Sequence, residues 1–176
     1  TTVKDHQLNL IKENFKVTSD FSLTKKLDVI IFCLPTPLKN NKPDLSSIRN
    51  SLKKIKKFLR NDQLFILEST SYPGTTEEEI AQTLKKKFKI GKNFFIGFSP
   101  ERDDPGRNID STKIPRIISG YTKECKNLSK LLYTHLYDEI VEVDSIRIAE
   151  MTKIYENVYR AINIGLVNEL KKISYK

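Results

Sequence analysis

Apolar residues along this chain fall into short continuous runs that alternate with stretches of helical spacing. DVIIFCL (28–34), QLFILEST (63–70) and NFFIGF (93–98) are strand-length runs rich in β-branched and aromatic residues, and they predict strands buried on both faces. PRIISG (115–120) and DEIVEVD (138–144) predict two further strands, and FKVTSD (15–20) a short one near the start. Between them, Ile48, Leu52, Ile55 and Leu59 recur at helical spacing, with Asp44 placed as a cap. Ile80, Leu84 and Phe88 mark a second helix, entered through SYPGTTEEE with its acidic first turn, and TKECKNLSKLLYTHL (122–136) a third. Neither an internal repeat nor a low-complexity tract interrupts the pattern.

Strands separated by helices of this length imply βαβ units, and hence an α/β domain built on a parallel sheet. In such sheets a ligand lies beyond the carboxyl ends of the strands. The segments that follow the three strongest strands are PTP (35–37), STSYPGT (69–75) and SPERDDPGRN (99–108), and all three are expected along one edge.

From Ser145 onward there is no proline and a single glycine, Gly165, while Ile148, Met151, Ile154, Tyr155, Val158, Ile162, Leu166 and Leu170 keep helical spacing. A helix of about 31 residues would run about 45 Å, longer than one small domain uses, so it is expected to join domains or subunits.

Length and charge narrow the classes. With 176 residues the chain has room for one core, and no apolar run reaches membrane-spanning length. The first residues, TTVKDHQLNL, contain no apolar signal core, so a cytoplasmic protein is the expectation. Its two cysteines, Cys33 and Cys125, and two histidines have no zinc-ligand spacing, so no metal is expected. The net charge of +9 is concentrated in KKIKKFLR (53–60) and KKKFK (85–89). Both sit near predicted helix ends, where lysine complements the helix dipole, and neither carries the aromatic or arginine pattern of a nucleic-acid face. An anionic substrate or cofactor also suits a basic protein.

The candidate chemistry is distributed. Glu150, Lys153, Asn157 and Arg160 share one stripe of the last helix, continued by Asn168. That stripe reads first as a solvated face, and alternatively as donors to an oxyanion and a sugar hydroxyl. Thr70 follows a buried strand, as a helix-entry hydroxyl or as a water-holding group. Glu101 lies between Pro100 and Pro105 after another strand, as a surface carboxylate or as a rigidly held general base.

Taken together, PTPL (35–38), EST (68–70), GFSPER with DPG (97–106) and AEMTKIYENVYRAINIGLVNEL (149–170) resemble, in order and spacing, the UDP-glucose/GDP-mannose dehydrogenases. These are NAD-dependent enzymes that oxidise the C6 alcohol of a nucleotide sugar to a carboxylate. SPER followed by DPG is similar to the branch that acts on UDP-N-acetylhexosamines for bacterial surface polysaccharides. The resemblance implies a partial Rossmann-like parallel sheet with flanking helices, ending in a long central helix. It places Pro35, Thr36, Pro37, Ser69 and Thr70 against NAD, with Thr70 helping to hold the hydrolytic water. It makes Glu101 the general base for thioester hydrolysis and Arg102, Asp103, Asp104 and Pro105 the rest of a substrate-side loop. Lys153 and Asn157 become the groups that bind substrate and stabilise its oxyanions. Pro105 stands where the glucose branch has a second glutamate, so contacts of that branch do not carry over at this position.

Two family features are missing from the sequence. None of the six glycines forms the G-x-G-x-x-G diphosphate turn. Cys33, expected inside a buried strand, and Cys125, on a helix, are not placed to be the catalytic thiol. Residues 1–144 are therefore expected to be the second part of the NAD-binding domain, without the Gly-rich first strand–helix unit. Residues 145–176 are expected to open the central helix and to form a homodimer through it. Such a fragment is expected to be unable to complete the oxidation alone. Two other readings remain open at this stage: a 3-hydroxyacid or 6-phosphogluconate-type dehydrogenase, and a non-enzymatic basic binding module.

Overall fold

The computed structural model describes residues 14–102 and 110–175. A five-stranded sheet runs in the order β1 (Val29–Phe32), β4 (Leu64–Leu67), β5 (Phe95–Phe98), β6 (Arg116–Gly120), β7 (Ile140–Glu142). A two-residue hairpin, β2 (Leu38–Lys39) with β3 (Lys42–Pro43), follows β1; Asn40 and Asn41 take its left-handed turn. The helices are α1 (Ser46–Ile55), the short α2 (Gln82–Leu84) preceded by a π-helical turn at Thr76–Ala81, α3 (Lys123–Thr134) and α4 (Ile146–Ser174).

β1, β4 and β5 are parallel neighbours, as the alternation of strands and helices requires. β6 departs from the predicted direction and runs antiparallel to β5, with β7 parallel to β6. The sequence of the connection agrees: residues 99–115 carry no helical repeat of apolar side chains, which a parallel crossover helix needs. The reversal matters to the site, because it brings the first residue of β6, Arg116, to the carboxyl ends of β4 and β5.

The core follows the predicted periodicities. Ile48, Leu52, Ile55 and Leu59 pack with Ile80, Leu84 and Phe88 against one face of the sheet, where Phe65, Leu67, Phe94 and Phe98 are buried. Tyr133 of α3 joins Leu64, Ile66 and Ile118 on the other. α3 approaches closely at Gly120, where a Cβ would lie 2.1 Å from the Lys126 nitrogen. Asp44 caps as expected, its carboxylate accepting from the Ser46 N–H at 2.8 Å. Lys53 and Lys54 fall in the last turn of α1.

Three expectations need correction. FKVTSD is not a strand: residues 15–20 are irregular, and Asp20 instead caps a 3₁₀ turn at Phe21–Lys26. Phe15 and Val17 lie exposed there. β1 is buried on one face only: Ile30 and Phe32 are buried, and Ile31, on the opposite face, is 41% exposed. Cys33 accordingly lies past the end of β1 and is exposed rather than inside a buried strand.

Candidate functional site

The register Phe32–Leu67–Phe98 aligns the carboxyl ends of β1, β4 and β5, and the three loops that leave them are stitched together. The Leu34 N–H donates to the Ser69 hydroxyl at 2.7 Å, and that hydroxyl donates to the Phe32 carbonyl at 3.2 Å. The Thr36 hydroxyl donates to the Thr70 carbonyl at 2.6 Å. Pro35, Thr36 and Pro37 are thus laid beside Ser69 and Thr70. Ser69 is buried, while the Thr70 residue is exposed at the edge.

The 68–71 and 99–102 loops meet around Arg116, which the sequence reading passed over as part of a short apolar strand. Its guanidinium is 2% exposed and bonded on every side. Nε donates to the Ser99 hydroxyl at 2.7 Å and Nη2 to the Ser99 carbonyl at 3.2 Å. Nη2 also pairs with Glu68 at 2.5 Å, and Nη1 with Glu101 at 2.6 Å. Tyr133 and Tyr137 lay their rings on it at 4.8 and 5.0 Å. Burial opposes the charge of Arg116, but Glu68 and Glu101 outweigh that and hold it firmly protonated. Glu68 also accepts from the Tyr133 hydroxyl, which burial and the Glu68 charge keep protonated, and from the Cys33 thiol at 3.3 Å. Partial burial of the sulfur, with the negative charge of Glu68, pushes the Cys33 thiol up to about 12. A signal for Arg116 was present: an arginine opening an apolar strand, and a glutamate closing another, each needs a counter-charge if buried.

The long helix joins the site through its first turns. Glu150, placed by sequence in the polar stripe, is fully buried and caps the turn at Gly74–Thr76. Its carboxylate accepts from the Gly74 N–H at 2.5 Å, the Thr76 N–H at 2.9 Å and the Thr76 hydroxyl at 2.7 Å. Gly74 is needed there, its φ of 103° being costly for other residues. Three residues on, Lys153 is half-buried. Burial lowers its pKa against the opposing pull of Glu156, and Glu101, Arg102 and Arg160 lie within electrostatic reach. Arg102 clamps the loop to the helix, contacting Glu156 at 3.1 and 2.5 Å and the Pro115 carbonyl at 2.7 Å.

Of the residues singled out by sequence, Glu101, Arg102 and Lys153 are brought together at one end of the edge, and Thr36, Ser69 and Thr70 at the other. Glu68 and Arg116 bridge the two groups. Asn157, one turn beyond Lys153, is exposed, as is Arg160. Asp103, Asp104 and Pro105 lie outside the described residues.

Residues 4–137 match the model of the UDP-glucose/GDP-mannose dehydrogenase family, NAD binding domain. The chain belongs to this family. It is 39% identical over 162 residues to Protein CapL of Staphylococcus aureus, covering 89% of this chain and 38% of that one. It is 36% identical over 167 residues to the UDP-N-acetyl-D-glucosamine 6-dehydrogenase of Pseudomonas aeruginosa, covering 91% of this chain and 40% of that one. Among solved structures, the UDP-D-ManNAc dehydrogenase of Pyrococcus horikoshii superposes with a TM-score of 0.86 at 32% identity, over 94% of this chain and 40% of that chain. The chain therefore spans about two fifths of the length of these relatives.

NAD is the cofactor of the matched domain, and the residues present fit one end of it. The 34–37 and 69–71 loops offer hydroxyls at the sheet edge, and the buried Ser71 hydroxyl finds no protein partner among the described residues. These are hydrogen-bonding groups of the kind a polar cofactor needs. For the diphosphate the sequence holds no Gly-rich turn.

Proposed function

We propose that this chain supplies the substrate-oxidising wall of an NAD-dependent nucleotide-sugar 6-dehydrogenase that converts the C6 alcohol of a UDP-N-acetylhexosamine to the uronic acid. The observation that carries this is that Glu101 lies within electrostatic reach of Lys153 where the 99–102 loop is clamped to α4 by Arg102 and Glu156. A carboxylate and a partly desolvated ammonium at a strand-end crevice can accept a proton from water and stabilise an oxyanion.

In this reading Lys153 and Asn157 donate to the sugar C6 oxygen as it passes from alcohol to aldehyde to acid. Thr36, Ser69 and Thr70 line the cofactor side, where NAD supplies the hydride acceptor. Glu101 takes the proton of the water that hydrolyses a thioester, and Thr70 helps to orient that water. Arg102, Asp103, Asp104 and Pro105 contact the substrate. The thioester forms on a cysteine outside this sequence: Cys33 is bound to Glu68 with its thiol held up at about 12, and Cys125 is buried, accepting from the Ile96 N–H. The division at 144/145 separates the nucleotide-binding part from the central helix, and α4 begins at Ile146. A second copy of the chain covers the exposed apolar residues of α4. The setting is the cytoplasm, upstream of surface-polysaccharide assembly, with no membrane or nucleic-acid partner.

The test is a chimera in which this chain replaces the matched segment of the Pseudomonas UDP-N-acetyl-D-glucosamine 6-dehydrogenase. NADH production with a UDP-N-acetylhexosamine is expected to persist in the chimera and to fall sharply in its Glu101→Gln variant. A well-folded chimera that oxidises nothing, or a Glu101→Gln form as active as its parent, overturns the proposal.

A further inference from the structure

We infer that Arg116 is a positioning residue for Glu101, holding its carboxylate in one orientation while Glu68, as counter-charge, keeps that carboxylate basic. The inference rests on the reading of Glu101 as a general base.

Both Glu101 oxygens are engaged. Oε2 accepts from Arg116 at 2.6 Å, and Oε1 accepts from the Arg102 N–H at 2.8 Å. A carboxylate has about four lone-pair positions, enough to accept from these two donors and others. The Glu101 side chain is 49% exposed, which leaves that capacity reachable. Arg116 has no such freedom. Its bonds to Ser99, Glu68 and Tyr137, and its stacking on two tyrosine rings, fix the guanidinium plane. The orientation of Glu101 is therefore set by a cation that cannot swing.

A buried arginine in contact would by itself make Glu101 a poor base, since an opposite charge this near lowers a carboxyl pKa by about 1–3 units. Glu68 is the remedy. It occupies the other nitrogen of Arg116, so the trio of one cation and two carboxylates is net negative. A proton arriving at Glu101 then leaves a neutral Arg116–Glu68 pair behind. Among the described residues, the other groups within reach of Glu101 include Lys153 on α4, the neutral Cys33 thiol, Arg102 with its partner Glu156, and Tyr133 and Tyr137 stacked on Arg116. Glu68 is the carboxylate paired with the same guanidinium as Glu101.

The test is the pH titration of the Glu101 carboxyl carbon by NMR in the 176-residue chain itself. Glu68→Gln keeps an acceptor for Tyr133 but removes the counter-charge, and is expected to lower the Glu101 midpoint by about one pH unit. The double variant Glu68→Gln with Arg116→Met removes both charges, and is expected to return the midpoint upward by at least as much. Midpoints that coincide in all three proteins overturn the inference and reduce Arg116 to a core ion pair. If the double variant does not fold, Glu68→Gln alone decides. The NMR titration requires no turnover, so its failure is distinct from failure of the general-base assignment, which the chimera tests.

Discussion

Glu150 on the long helix accepts both the backbone N–H and the hydroxyl of Thr76, 74 positions earlier in the chain. This fixes the start of α4 against the loop that leaves β4, and Lys153 is one helical turn further on. The placement of Lys153 thus depends on the buried Glu150 carboxylate one turn before it.

Replacing Glu150 with alanine leaves the Gly74 N–H and both Thr76 donors buried without an acceptor. The expected loss is about 3 kcal/mol, read as a lower midpoint in urea unfolding. Glu150→Gln, with one carbonyl acceptor left, is expected to lose less. Burial raises the Glu150 pKa despite three donated bonds, so the folded state holds this proton more tightly than the unfolded state. The stability contribution of that proton is present below the unfolded pKa and is lost as pH rises through the folded pKa. The stability of Glu150→Gln relative to wild type should therefore improve as pH rises through that window, and a constant difference across it would contradict the assignment.

Cys33 offers a second pH-dependent test. An exposed thiol ordinarily alkylates readily, but raising its pKa from 9.0 to about 12 cuts the thiolate present at pH 8 about a thousandfold. A more basic thiolate is the better nucleophile, so the net slowing is about fiftyfold. Iodoacetamide labelling followed by mass spectrometry should show Cys33 lagging well behind a free thiol at pH 8, with Glu68→Gln restoring much of the rate. Rapid labelling of the wild-type residue would show that the Cys33–Glu68 contact does not persist in solution.

The sheet, the sequence of helices and the gathering of the strand-end loops were legible because they follow from periodicity and from the rule about strand ends. DVIIFCL, QLFILEST and NFFIGF each became a strand, and the segments after them gathered at one edge. What was hidden depended on contacts between distant residues. The reversal of β6 shows in sequence only as a missing helical repeat. Arg116 and Glu68 are 48 positions apart and reveal themselves as a pair only once both are buried. Glu150 looked like a surface residue because its stripe includes Asn157 and Arg160, which are exposed; the stripe leaves the protein body part-way along α4.

Lys153 should control the rate rather than substrate affinity. In the chimera, Lys153→Met is expected to lower kcat about 10²–10³-fold, the usual loss for an oxyanion donor, with a smaller change in KM. Burial lowers the pKa of this ammonium from the ordinary 10.5, and the protonated form is the donor. Activity should therefore decline with rising pH through a limb below 10.5, as the lysine loses its proton. Lys153→Arg should move that limb upward, since a guanidinium stays charged throughout. An unchanged basic limb in Lys153→Arg would assign it to another group.

The exposed apolar face of α4 sets the last prediction. Met151, Tyr155, Val158 and Ile162 are spaced four, three and four apart, with Leu166 and Leu170 following, and all are exposed. That is a helix seam of coiled-coil type without a partner among the described residues. A solvated face would carry charges at these positions, and the charges of α4 lie elsewhere, at Arg147, Glu150, Lys153, Glu156, Arg160, Glu169, Lys171 and Lys172. Light scattering at micromolar concentration is expected to give a dimer mass for the 176-residue chain. Ile162→Glu with Leu166→Glu places like charges in the seam and should give a monomer, with the circular dichroism of the α/β body retained. A wild-type chain that stays monomeric at high concentration would leave the seam to a partner other than a second copy.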